Sequence, residues 1–130
     1  MEVERTLVIF KPDALQRGMV SKLLRSWERK GLRIVALRLE HASLADMERH
    51  YAEHKGKPFY EALVTRMSSA PSVFAIISGP NIIRWSRDTI VALRHQFATS
   101  TQENLVHGSD SLEAAEREIA IWFPAHSKVN

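Results

Sequence analysis

The sequence contains no cysteine. That excludes disulfide frameworks, thiol nucleophiles and cysteine-ligated zinc or iron–sulfur centres, and it suits a reducing compartment. Glycine is sparse, with five residues at positions 18, 31, 56, 79 and 108. No pair of them has Walker-A spacing and no trio makes a dinucleotide fingerprint. The protein-kinase signature set is absent too. Any nucleotide must therefore be held by side chains and helix ends. No apolar run is long enough to span a membrane. The charged start, Met1-Glu2-Val3-Glu4-Arg5, runs straight into a strand-like segment and leaves no room for a signal peptide. The chain reads as soluble and cytoplasmic.

What is present in modest excess is positive charge: 18 Lys and Arg against 15 Asp and Glu, a formal +3. Such an excess serves as a solvated face, and it also attracts polyphosphate or nucleic acid. The 130 residues make one ordinary domain, 1–130, able to bury a core without disulfide or metal. No linker, repeat or low-complexity tract interrupts it.

Thr6 to Phe10 is a short apolar run closed by Lys11-Pro12-Asp13, a buried strand ending in a turn. Val20, Leu23, Leu24 and Trp27 sit at helical spacing, with Gly31 as the stop. Leu32 to Leu39 is a second strand. Ser43 caps a helix whose face carries Leu44, Met47, Tyr51 and His54. Gly56-Lys57-Pro58 breaks it, and Phe59, Leu63 and Met67 mark another short helix. A third strand, Val73 to Ile77, ends at Gly79-Pro80, and Ile82, Trp85, Ile90 and Leu93 share one side of a further helix. The segment through His107 and a last helix complete the order β-α-β, two inserted helices, β-α-β-α. That order predicts an α+β fold of the ferredoxin-like split β-α-β kind. Its four-stranded antiparallel sheet carries helices on one face, and the two inserted helices fall between strands 2 and 3.

Two segments contain chemistry worth weighing. His50-Tyr51-Ala52-Glu53-His54 formally matches the H-x-x-E-H of inverted zinc proteases, yet no third ligand is evident, and a helix with two partly exposed histidines accounts for it. NLVHGSDS, residues 104–111, sets His107 before a turn and a helix start, where Asp110 or Ser111 can cap. Asp110 and Glu113 have the capping-box spacing. His41, His95 and His126 have no partner at suggestive spacing. RNA-binding sheets of related topology display stacking aromatics that strands 1 and 3 do not match.

Three distant segments, RTLVIFKPDALQRG (5–18), YAEHKGKPF (51–59) and NLVHGSDSLEAAEREIAIWF (104–123), together closely resemble nucleoside diphosphate kinases over nearly the whole chain. The resemblance implies ping-pong transfer: a nucleoside triphosphate phosphorylates His107, which passes the phosphoryl group to a nucleoside diphosphate. It implies that Glu118 fixes the imidazole tautomer and that Ser109 donates nearby. Lys11, Tyr51, Arg87 and Arg94 would surround the phosphates, Asn104 and Lys11 would meet the sugar, and Phe59 would stack on the base. Mg²⁺ would arrive with the nucleotide, so no residue is assigned as a metal ligand. Each of these residues also has a plain structural use, as solvated charge, packing or turn.

The chain departs from the family in one region. Members usually carry a long Pro- and Gly-containing loop between the residues matching Arg87 and Arg94. Here Asp88 to Leu93 alone intervene, leaving Thr89 as the stand-in for the family's β-phosphate threonine. Thr101 takes a place that is commonly apolar. The resemblance also implies a homo-oligomer, built as dimer, tetramer or hexamer from a common dimer made by the second strand and first helix. With the loop gone and only Pro124 to Asn130 as a tail, higher assembly is expected to be weaker. The other open reading is a kinase-fold nucleotide- or nucleic-acid-binding regulatory module that has lost catalysis with its loop.

Overall fold

The computed structural model describes residues 3–101 and 103–128, so the first two residues of the charged start and the last two of the tail lie outside the described residues. The strand β1 (Val3–Phe10) is central, because its side chains are apolar on both faces. Leu7 and Ile9 point to one core together with Phe74 and Ile76 of β3 (Ser72–Pro80), and Val8 and Phe10 point to the other with Ala75 and Ile77. Continuous apolar runs of this kind are what a sheet covered on both sides requires. All pairings are antiparallel, in the order β2-β3-β1-β4, with β2 spanning Arg33–Glu40 and β4 spanning Val106–Gly108.

Helices cover both faces, which corrects the one-face expectation. On the first face lie α3 (Leu44–His50), α4 (Tyr60–Met67) and α6 (Leu112–Trp122), contributing Met47, Val64, Met67, Ile119 and Trp122. On the second lie α1 (Pro12–Gln16), α2 (Val20–Arg29) and α5 (Ile82–Phe97), contributing Ala14, Leu23, Trp27, Ile82 and Ile90. The physical reason is in β1 and β3 themselves: a sheet with helices on one side would leave Val8, Phe10, Ala75 and Ile77 in water, at about 1.5–3 kcal/mol for each large side chain.

Local structure departs from the sequence expectation in three places that matter for the site. Lys11-Pro12-Asp13 opens the short α1, since proline's fixed φ suits a first helical position; Lys11 thus stands at a strand-to-helix junction. The helix after Ser43 stops at His50, with Tyr51 at its C-cap and Ala52–His54 in a 3₁₀ turn, so His50 and His54 do not form a two-histidine helix face. Ser111, not Asp110, caps α6, its Oγ accepting from the Ala114 N–H at 3.0 Å, and the Asp110–Glu113 spacing is unused. The two inserted helices are α3 and α4, as expected.

Candidate active site

The site lies at the β4 edge. His107 stands in the middle of β4, opposite Ile9 of β1. The chain enters β4 through Leu105, buried in the left-handed region with φ 72°. A bulky side chain there costs roughly 1–2 kcal/mol. Its backbone is held by neighbours: the Lys11 N–H donates to the Leu105 carbonyl at 2.8 Å, and the Leu105 N–H donates to Asp13 Oδ2 at 3.2 Å. Those bonds tie β4 to the start of α1 and so fix where His107 emerges. Gly108 has no side chain because Ile90 of α5 packs there; a Cβ would meet Ile90 Cδ1 at 2.5 Å.

Behind the imidazole is a bonded, buried network. His107 Nε2 lies 3.2 Å from Glu118 Oε1, and Ser109 Oγ donates to the same oxygen at 2.8 Å. Ser109 Oγ in turn accepts from the Leu7 N–H at 3.1 Å, which anchors the carboxylate to β1. Burial pushes the Glu118 carboxyl up, but the His107 imidazole, with help from His50 and the Ser109 hydroxyl, outweighs it and holds Glu118 below the usual range. Glu118 is thus a carboxylate near neutral pH. His107 Nδ1 has no hydrogen-bond partner among the described residues and is free to react.

In front of the imidazole two cavities meet. One, of about 500 Å³, is lined by Lys11, Phe59, Thr101 and Asn104; the other, of about 200 Å³, by Arg87, Ile90, Val91 and Asp110, and both share Tyr51, His54, Arg94 and His107. Lys11 is buried, its Nζ donating to Asn104 Oδ1 at 2.8 Å, and burial followed by repulsion from Arg94 lowers its pKa to about 8. Arg94 is fixed by donation of Nε and Nη2 to the Val106 carbonyl at 3.2 and 2.6 Å. Arg87 pairs with Asp110. Tyr51 is buried against His107, with ring centroids 5.9 Å apart, and burial drives its hydroxyl pKa upward, so it stays a neutral phenol.

The sequence model described as nucleoside diphosphate kinase matches residues 4–128. The chain belongs to the nucleoside diphosphate kinase family. A nucleoside diphosphate kinase of Mycobacterium avium is 47% identical, with 93% of this chain and 97% of that one covered. One of Caldanaerobacter subterraneus is 43% identical over 94% of this chain and 95% of its own. Among solved structures, the Aquifex aeolicus nucleoside diphosphate kinase superposes with TM-score 0.86 at 34% identity, covering 94% of this chain and 96% of that one. A nucleoside diphosphate kinase family protein from Babesia bovis gives TM-score 0.89 at 36% identity, covering 98% and 93%.

Against that family, the shortened segment has a clear form: α5 continues without a break from Arg87 to Arg94. Seven residues are two turns, so both guanidinium groups fall on one helix face and reach the same cavity. Thr89, two positions after Arg87 on the helix, lines neither of the two cavities. The other expected residues, Lys11, Tyr51, Phe59, Arg87, Arg94, Asn104, Ser109 and Glu118, converge on His107 or on the cavities beside it. Sequence reasoning missed His50, which is buried rather than partly exposed and lies with its Nε2 3.2 Å from His107 Nε2. Its signal was available, since it follows the buried Met47 by three positions on α3.

Proposed function

We propose that the chain is a nucleoside diphosphate kinase that moves a γ-phosphoryl group from a nucleoside triphosphate, typically ATP, to a nucleoside diphosphate through phosphorylated His107. One observation carries this: an imidazole braced on Nε2 by a buried carboxylate, with Nδ1 open where two cation-lined cavities join. With its proton on Nε2 and directed at Glu118, the ring keeps a lone pair on Nδ1. That lone pair attacks the γ-phosphorus, the bond to the bridging oxygen breaks, and the diphosphate leaves with the electron pair. A second diphosphate reverses the steps.

Phosphoryl transfer asks the protein for alignment and charge, and Lys11, Arg87 and Arg94 supply both. Phe59, 45% exposed at the cavity rim, offers a flat surface for a base, and Asn104 and Lys11 form the polar end for the sugar. Mg²⁺ enters as part of the substrate, held by the nucleotide phosphates. The lining fits this: its cations suit phosphate oxygens, while of its three carboxylates Asp110 is engaged by Arg87, Glu118 by Ser109 and His107, and Glu53 lies 3.9 Å from Arg117.

Residues 1–130 work as one such domain, in the cytoplasm, without need of nucleic acid. The edge strand β2 exposes Val35, Leu37 and Leu39, an apolar row that supports a dimer through this edge. Further assembly is weaker than usual, because an unbroken α5 replaces a loop otherwise available for subunit contacts. Light scattering over a dilution series tests this: a hexamer persisting at the lowest concentration contradicts it. For the reaction, initial rates over a grid of donor and acceptor concentrations give parallel double-reciprocal lines; intersecting lines mean direct transfer and overturn the reading.

A further inference from the structure

His50 is buried beside the site, 1% exposed, and the transfer chemistry above leaves it without a task. The indole N–H of Trp122 donates to its Nδ1 at 2.9 Å. An indole nitrogen only donates, so His50 Nδ1 keeps its lone pair and the one proton of the neutral ring sits on Nε2. Burial, then the neighbouring His107, pull the pKa of His50 down to about 3, with Glu118 opposing and Arg117 and His54 reinforcing. Tyr51 packs edge-on against the same ring, 4.5 Å between centroids. His50 is therefore a fixed donor, and its Nε2 lies 3.2 Å from His107 Nε2.

His107 Nε2 thus faces a fixed donor and, at 3.2 Å, the fixed acceptor Glu118. One nitrogen cannot satisfy both at once. Protonated, it donates to Glu118 and opposes the His50 N–H. Unprotonated, it accepts from His50 and opposes the carboxylate. Attack through Nδ1 uses the protonated state: the N–P bond forms as the bridging P–O bond breaks, Nε2 keeps its proton, and the ring becomes a cation paired with Glu118. When that proton passes to water, the neutral phosphohistidine presents a lone pair that matches His50.

We infer that His50 is a positioning residue whose Nε2–H, locked in place by Trp122, holds the neutral phosphorylated form of His107 and preserves the phosphoryl group between the two half-reactions. This rests on the ping-pong reading. Water attack on the neutral phosphohistidine must expel an imidazolate, a poorer leaving group than the neutral imidazole that departs when Nε2 is protonated, so hydrolysis of the stored phosphoryl group is slowed. The same lock answers another use of the cluster: the ligand atoms of His50, His107 and Glu118 lie within 4.8 Å of one another, but His50 turns a proton, not a lone pair, toward a cation.

The test labels the protein with γ-³²P-ATP, removes nucleotide, and follows loss of label in buffer for wild type, His50→Gln and His50→Phe. Glutamine can accept from Trp122 and donate to His107, while phenylalanine keeps the ring shape and neither bond. The phosphoenzyme half-life falls about tenfold in His50→Phe and stays within about twofold of wild type in His50→Gln, as loss or retention of one hydrogen bond requires. Nucleotide KM changes little in either. A wild-type half-life in His50→Phe overturns the inference, as does an equal fall in both variants, which means packing alone. If His50→Phe does not fold, Trp122→Phe replaces it with the same expected fall, and an unchanged half-life there overturns the inference. A wild type that takes no label brings down the ping-pong reading, and the inference with it.

Discussion

The two sides of the His107 ring are built differently. The Nε2 side is buried and bonded to the sheet: Glu118 is 3% exposed and is held by Ser109, itself bonded to Leu7 of β1. On the Nδ1 side the charges are more numerous and less uniform: Lys11 and Arg94 are fixed by Asn104 and the Val106 carbonyl, while Arg87 and Asp110 are paired at 48% and 61% side-chain exposure on the rim of an open cleft. On the reading proposed above, the heavy atoms of the first side stay in place when phosphate arrives, whereas on the second Arg87 exchanges one anionic partner for another. The rigid side thereby orients the ring, and the adaptable side is where the proposed phosphate binding and Nδ1 attack take place. This division also explains how a shortened loop is compatible with an intact chemical centre, because α5 contributes to the adaptable side.

Substitutions can break this contrast in a graded way. His107→Ala, at the point where the two sides meet, abolishes both half-reactions, by about 10³-fold or more in steady-state turnover, while circular dichroism stays that of the folded protein. Glu118→Ala, on the rigid side, lowers kcat by about 10- to 100-fold, the worth of a hydrogen bond to a charged group, with KM little changed. A large rise in KM with kcat intact would place Glu118 on the wrong side of the division.

Lys11 sharpens the contrast through pH. Its ammonium is lost as pH rises through about 8, so kcat/KM, which reports the free enzyme, falls above that pH. Lys11→Arg moves the fall to higher pH, and an unmoved limb assigns it to another group. His50 offers a stability readout on the rigid side. Its folded pKa, near 3, lies below the unfolded value of 6.5, so between these values the unfolded chain binds the extra proton. The contribution is complete above pH 6.5 and is lost progressively as pH falls toward 3. His50→Gln flattens this part of the Tm profile; an unchanged slope means other groups carry it. The smallest effect is on the adaptable side: Asp110→Asn frees Arg87, shifting nucleotide KM by no more than about fivefold and Tm negligibly, as an exposed pair implies. A large Tm loss would show that this pair is structural.

Much of this was readable in the residues, for identifiable reasons. Strands β1 and β3 announce themselves because two-sided burial demands continuous apolar runs, and Ser43 and Ser111 open helices as cap chemistry requires. His107, Glu118, Ser109 and Lys11 belong to motifs that lie far apart in the chain, and the fold brings them together across the sheet. Helices on both faces were missed, although the runs that required them were in view, because topology alone does not count the faces covered. Thr89 lies outside the two cavities because a residue's place along the sequence does not fix its direction once α5 runs unbroken. His50 was hidden by a helix end: a search for zinc spacing paired it with His54, whereas its partners, His107 and Trp122, come from β4 and α6.

The most direct test of a covalent nucleophile on a rigid base is to mix the protein with γ-labelled ATP, isolate it, map the label and then add an unlabelled diphosphate. The expected result is an acid-labile, alkali-stable label on the peptide containing His107, released in full as labelled triphosphate when the diphosphate is added. An acid-stable label on Ser109, or a label on His107 that no diphosphate discharges, would contradict it.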